Sequence, residues 1–287
     1  DCSRYVAQKL KTLFPEGTQV FGYPGGCAFV DGAYHKLVAL GTHSSSAAAL
    51  VVGLGCEGTD AHTVADAIAA SGRPAAAVKI NEEGGDLRTI EKGSRILAQL
   101  LQQASVAKRV PMSPGDLIVG TECGGSDATS GLASNPITGV AGDLLIAAQG
   151  TYMISELSEL LGCSEILAQR AINNRVAEEV RVAIEEAERL SFESGRFSWG
   201  YGNIMGGLTS IEEKSYGALS KSGTQPLQGI LREYGLPPNK GFFLQVGEPG
   251  SGFFHGDPEG INQFAAHGAH LALFTTGCGS TTGGLIP

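Results

Sequence analysis

The sequence predicts an α/β protein of mainly parallel sheets with helices on both faces, arranged as two Rossmann-like α/β units. Three observations predict it. Short apolar runs of strand length recur at residues 18–21, 49–53, 76–80, 117–120, 151–154, 242–246 and 271–275. Helical patterns fill most of the intervals, the alternation expected of parallel strands joined by crossover helices. Glycine, 42 of 287 residues, forms no collagen-like period or low-complexity run, which assigns the excess to tight strand-to-helix turns.

The helical pattern over 94–110 ends in Pro111-Met112-Ser113-Pro114-Gly115, a stretch that helix geometry does not tolerate. A first α/β unit is therefore expected over 1–112 and a second, carrying the chemistry, over 113–287. In the second unit Ile118 and Val119 read as the end of a buried strand. A helical tract starts at Ser164, read as an N-cap with Glu165 in the first turn, and runs to Gly195 with a break at Asn173-Asn174. Ile166, Ile172, Val176, Val180 and Ile184 read as its packing face. The chain stops at Leu285-Ile286-Pro287, in what reads as another strand.

Composition narrows the function. A net charge of −9 argues against a nucleic-acid partner, whose binding depends on clustered Lys and Arg. No apolar run approaches the ~18 residues that span a bilayer, and no secretory signal precedes Asp1, so a cytoplasmic protein without a membrane role is expected. The six cysteines, Cys2, Cys27, Cys56, Cys123, Cys163 and Cys278, are dispersed and lack the density of a disulfide framework. Cys163 reads as a buried filler. Cys27, Cys56 and Cys123 each follow a hydrophobic run inside Gly-rich sequence.

Ligands of open α/β sheets bind outside the carboxyl ends of the strands. There the sequence places Gly26-Cys27, Cys56-Glu57, Asn81-Glu82, the stretch from Glu122 to Asp127, Ser155-Glu156, Glu248-Pro249 and Thr276-Gly277. The richest stretch is 116–139, where an apolar run opens into Gly, hydroxyl and acid residues that suit a hydroxyl-rich anionic small molecule. A solvated turn of the same composition is the alternative.

The string Glu122-Cys123-Gly124-Gly125-Ser126-Asp127, with Ser130-Gly131 and Asn135-Pro136, resembles the signature of the altronate dehydratase, galactarate dehydratase and sulfolactate sulfo-lyase superfamily. Further matches follow in that family's order: Cys2-Ser3, Gly26-Cys27, Val52 to Glu57, Gly84-Gly85 with Thr89-Ile90-Glu91, Ser155-Glu156 with Glu159, Gly202-Asn203, Gly206 to Thr209 with Glu213-Lys214, Phe274 to Gly277 and Gly279-Ser280. Departures are Gly26-Cys27-Ala28 where the family reads Gly-Cys-Gly, Trp199 to Ile204 where it reads Ser-Pro-Gly-Asn-Lys, and Cys278 where it more often has Arg. Two positive charges of the family are thereby missing, and the substrate is expected to differ from those of named members.

The resemblance implies a hydro-lyase of carbohydrate catabolism that β-eliminates water from an altronate- or galactarate-like sugar acid to give a 2-keto-3-deoxy acid. Such chemistry must stabilise an enediolate and assist C–O cleavage, tasks for which a divalent metal serves as Lewis acid and template. Fe(II) is favoured, with Mn(II) or an iron–sulfur cluster as alternatives. Cys27, Cys56 and Cys123 are candidate ligands because thiolates favour softer metals; three separately buried cysteines are the other reading. Glu122, Asp127, Glu156 and Lys214 are candidate acid–base groups, since a strand end can face a cleft where burial shifts pKa values towards neutrality. Glu213-Lys214 can equally be an exposed helix pair. Ser126, Ser130, Asn135, Asn203, Thr209, Thr275, Thr276 and Ser280 are the implied substrate contacts. His267 and His270 lie at a metal-compatible spacing without a third ligand, and His255 is a candidate proton shuttle.

A small SAF-type domain, upstream or on a separate subunit, belongs to the family's pattern and is absent from this chain. A catalytic region or split-enzyme large subunit that needs that partner is expected, with homo-oligomerisation open. The alternatives are a sulfo-lyase that expels sulfite from sulfolactate and a non-catalytic sugar-acid binding protein.

Overall fold

A computed structural model describes residues 2–22, 31–246 and 257–287. The chain divides into two compact units, Asp1–Pro111 and Met112–Pro287. The first contains α1 (Cys2–Leu13), α2 (Asp31–Gly41), β1 (Ala49–Gly53), α3 (Ala61–Ala70), β2 (Ala75–Lys79), α4 (Ile80–Glu83) and α5 (Asp86–Ser105). β1 and β2 pair in parallel, Ala49 opposite Ala75 through Gly53 opposite Lys79. α3 starts where the Asp60 carboxylate accepts from Thr63 N, a side-chain N-cap.

The expected strand at 18–21 does not form. Lys11 Nζ donates to Thr18 O, and the Thr18 hydroxyl to Phe14 O, so these polar groups close the end of α1 instead of joining a ladder. The second strand ends at Lys79, and Ile80 opens α4.

The second unit contains β3 (Ile118–Cys123), α6 (Asn135–Ala147), β4 (Thr151–Ile154), α7 (Ser164–Ala168), α8 (Asn174–Ser194), α9 (Tyr201–Met205), α10 (Ile211–Leu219), β5 (Leu227–Leu231), β6 (Gly241–Gln245), α11 (Asp257–Ala266) and β7 (Leu271–Thr275). Its five strands are all parallel in the order β5-β6-β4-β3-β7. The sequence did not announce β5, because Gly229 interrupts its apolar run and a bulge falls between Leu227 and Gly229.

The 164–195 tract is two helices. α7 has Cys163, not Ser164, at its N-cap, and α8 is capped by Asn173, whose side chain accepts from Val176 N. Gly195, at φ 65, ends α8 in the left-handed conformation that glycine adopts without penalty. Val176, Val180, Ala183, Ile184 and Ala187 of α8 pack with Tyr152, Ile154, Phe242 and Leu244 in one core, which also takes Cys163. Each Val, Ile, Leu or Phe side chain among them contributes ~1.5–3 kcal/mol on burial. Ile166 and Ile172, expected on that face, are exposed because the break rotates them away.

Strand alternation sends Gly120 and Glu122 to the opposite face, where Phe264 of α11 lies against Gly120 so closely that an added Cβ would sit 2.3 Å from its ring. Helices thus cover both faces of the sheet. The last residues, 281–287, form no strand. No described helix is long and apolar enough to cross a membrane.

Candidate active site

The carboxyl ends of β3 and β4 bring together Glu122, Cys123, Glu156 and Glu159, and the segment after α10 adds Lys221. Cys123, on the α8 side of β3, is 2% exposed, and its thiol donates to Glu159 Oε2 at 2.7 Å. Cys123 N donates to Glu156 Oε2 at 3.1 Å. Lys221 is wholly buried, with Nζ 2.7 Å from Glu156 Oε2, 3.1 Å from Cys123 Sγ and 3.5 Å from Glu159 Oε2. Lys214 Nζ holds the other Glu159 oxygen, Oε1, at 2.8 Å and donates to Ser198 O.

Glu156 reaches this position with φ 70 and ψ 61, a left-handed conformation rare outside glycine. Such strain persists only where surrounding contacts over-determine it. Here Lys221 and Cys123 N supply those contacts.

Burial, then the neighbouring Glu159 charge, raises the Glu156 carboxyl to about 7, against the pull of Lys221. Burial acts the same way on Glu159, yet Lys221 and then Lys214 hold it below the usual carboxylate range. Desolvation alone would lower Lys221, but the acidic groups around it, Cys123, Glu156 and Glu159, keep its ammonium well above the ordinary lysine value. Burial, followed by Glu159, pushes the Cys123 thiol well up.

Glu122 points the other way, against α11, where a Cβ on Gly260 would stand 2.1 Å from its carboxylate. Neither carboxylate oxygen has a hydrogen-bond partner among the described residues. Burial, then the Glu156 charge, raises Glu122 to about 10, so its carboxyl is protonated at neutral pH.

The other expected residues divide clearly. Ser126, Asp127, Ser130, Asn135 and Lys214 line one small cleft with Leu208 and Glu213. Within it Asp127 Oδ1 accepts from Ser130 N at 2.8 Å and from Thr129 Oγ1 at 2.7 Å. Although partial burial raises it, these donors hold Asp127 below its ordinary value, which suits a cap better than a base. Asn135 and Thr275 are buried partners, Thr275 Oγ1 donating to Asn135 Oδ1 at 2.6 Å, and Asn203 Nδ2 donates to Ser126 O at 2.8 Å. Thr209 bonds Glu213 at the start of α10, so Glu213 caps while Lys214 turns inward; the two are no exposed pair. Thr276 Oγ1 accepts from Gly279 N, and exposed Ser280 bonds Thr282, contacts that shape the loop after β7.

Of the three expected cysteine ligands, Cys27 lies outside the described residues and Cys56 is an exposed residue of the first unit. Among the described residues the group able to hold a metal ion is Cys123, Glu156 and Glu159, whose ligand atoms lie within 4.8 Å of one another. One thiolate with two carboxylates fits a borderline divalent ion. It does not supply the several thiolates of an iron–sulfur cluster. His267 is buried with Nδ1 3.1 Å from Gly235 O, away from that group, and His255 and Glu248-Pro249 fall outside the described residues.

Sequence reasoning missed Lys221 and gave Glu159 no chemical role. Lys221 stands in Ser220-Lys221-Ser222-Gly223, which reads as a polar turn. Glu159 lay among the family matches, three residues after Glu156, and that spacing was the available signal.

Residues 115–287 match the family described as D-galactarate/altronate dehydratase, C-terminal, and residues 1–105 match D-galactarate dehydratase/altronate hydrolase, second domain. Altronate dehydratase of Bacillus subtilis is 30% identical over 85% of the chain and 48% of its own length. Galactarate dehydratase (L-threo-forming) of Escherichia coli is 32% identical over 82% of the chain and 45% of its own. The (2R)-sulfolactate sulfo-lyase subunit beta of Chromohalobacter salexigens is 31% identical over 95% of the chain and 68% of its own. The chain thus spans about half the length of the curated dehydratases it matches.

Proposed function

This chain belongs to the D-galactarate/altronate dehydratase family, and we propose that it forms the catalytic α/β region of a sugar-acid dehydratase. The observation that carries the reading is the buried cluster of Cys123, Glu156, Glu159, Lys214 and Lys221, with buried Glu122 next in the chain to Cys123, within the residues that match the family. The reaction removes the proton alpha to the substrate carboxylate, forms an enediolate and expels the β-hydroxyl as water, and the enol then tautomerises to the 2-keto-3-deoxy acid.

Burial and a retained proton support Glu122 as general acid for the leaving hydroxide, a role that requires its carboxyl, which faces α11 in this structure, to turn towards the substrate. Lys214, at the junction of the cleft and the cluster, suits the substrate carboxylate, and Ser126 offers the cleft a hydroxyl. A divalent metal, Fe(II) before Mn(II), would be held by Cys123, Glu156 and Glu159 and would supply Lewis-acid stabilisation of the enediolate. Glu156, near neutrality, suits removal of the α-proton when it is not a ligand; the two roles exclude each other. A SAF-type domain or small subunit is the proposed partner that completes the site.

The test is a screen of aldonates and aldarates with the purified protein, alone and with that domain in trans, after chelation and after return of Fe(II), Mn(II) or Mg(II). Release of a 2-keto acid is expected, with little turnover by residues 1–287 alone. Full activity in metal-free protein removes the metal from the reading. Binding of a sugar acid without turnover under every condition leaves a binding protein instead.

A second reading, a sulfo-lyase that expels sulfite from the same enediolate, is favoured by one observation: the sulfo-lyase subunit is covered over 68% of its length. Assay of sulfite against 2-keto acid separates the two.

A further inference from the structure

We infer that Lys221 is a resident cation at the Cys123–Glu156–Glu159 triad, which a divalent metal must displace in order to bind there. The inference rests on the triad being the metal site proposed above.

Three contacts carry it. Lys221 Nζ lies 2.7 Å from Glu156 Oε2, 3.1 Å from Cys123 Sγ and 3.5 Å from Glu159 Oε2, in contact with each of the three side chains that a metal ion would bond. Such bonds measure ~2.0–2.3 Å. An ion bonded to all three would take the space that the ammonium fills. Two cations that close, in a largely buried site, also repel strongly.

The second lysine does not compete. Lys214 binds Glu159 Oε1 and leaves Oε2 directed at Cys123 and Lys221. Besides the substrate role proposed above, it holds the Glu159 carboxylate with one oxygen free for the triad. Lys221 is anchored at its backbone, where its carbonyl accepts from Tyr152 Oη at 2.8 Å. Exchange therefore moves the side chain and leaves the segment after α10 in place.

The consequence is a triad that carries a counter-charge in both states, an ammonium without metal and the ion with it, and the Cys123 proton is released to solvent when its sulfur becomes a ligand. Folding does not depend on metal as it does in sites of bare thiolates and carboxylates. The affinity for metal is reduced by whatever free energy is needed to expel the ammonium from its three partners.

The experiment is a cobalt(II) titration of the purified protein and of its Lys221→Met variant, read by the thiolate-to-cobalt absorption that reports Cys123 as ligand. The variant is expected to bind cobalt at least about tenfold more tightly. Lys214→Met, which removes a charge outside the triad's centre, is expected to give a smaller gain. Equal affinity in wild type and Lys221→Met, with the thiolate band present in both, overturns the inference alone. Absence of the band in both proteins overturns the metal reading and this inference with it.

If Lys221→Met does not fold, the anomalous signal of cobalt in crystals of the wild-type protein decides. An ion on the three ligand atoms with Lys221 Nζ moved off Glu156 supports exchange. An ion at the triad with the lysine still in contact overturns it.

Discussion

Lys221 and Glu156 meet at 2.7 Å with no part of the lysine exposed, an ion pair between a helix-end segment and a strand-end residue 65 positions away. The pair is one end of a chain of alternating charges that runs from Glu156 through Lys221 and Glu159 to Lys214. Its strength depends on all four charges remaining matched, because a buried charge that loses its partner keeps the penalty of desolvation.

Glu159→Gln should therefore destabilise the second unit by about 3–5 kcal/mol, read as a fall in the urea midpoint. Adding Lys214→Met should recover part of the loss, since the ammonium stranded by the first change is then gone. A double variant with the full sum of the two single losses would show that Lys214 and Glu159 are not coupled.

Glu122 gives a pH test. Unfolded, it ionises near the ordinary 4.5; folded, burial raises it to about 10. Between these values the folded state holds a proton that the unfolded state releases, so this group's contribution to stability is greatest below pH 4.5 and declines as pH rises towards about 10. Glu122→Gln should flatten the decline, gaining about 1 kcal/mol or more over wild type between about pH 5 and about pH 8. Parallel stability curves for the two proteins would mean that Glu122 ionises normally in the fold.

The two acids of the signature should differ in turnover. For the dehydratase reaction, Glu122→Gln is expected to lower kcat by about 100-fold or more, as loss of a general acid does. Asp127→Asn should stay within about tenfold, because asparagine caps as well as aspartate and the bonds to Ser130 N and Thr129 persist. Equal losses in 2-keto acid formation would move Asp127 into the chemistry.

Gly120 tests the sheet that supports the site. An added Cβ would meet the Phe264 ring at 2.3–2.7 Å, so Gly120→Ala should destabilise by about 1–3 kcal/mol through overpacking. Phe264→Leu in that background should restore part of the loss while being destabilising alone. Thermal unfolding of the three variants decides; an unchanged midpoint in Gly120→Ala would mean that α11 does not press on β3.

Much of this protein was legible in one dimension. Apolar runs separated by helical patterns gave the parallel sheet, because buried parallel strands must be apolar on both faces and their connections must be helices. The Glu122-to-Asp127 stretch and Glu156 were expected at strand ends, where the structure has them, because glycines and acids directly after such runs have nowhere else to go. What sequence could not supply is which side of β3 each neighbour takes and what meets it there. Alternation separates Glu122 from Cys123 by one residue and one sheet face, giving Gly260 to the first and Glu159 and Lys221 to the second. Lys221 lies 98 residues from Cys123 in a turn of ordinary composition, and only the folded packing of α10's end beneath β3 and β4 turns it from a solvated lysine into the buried charge of the site. Local pattern determines where strands end; the charges that meet beyond those ends are decided by long-range packing.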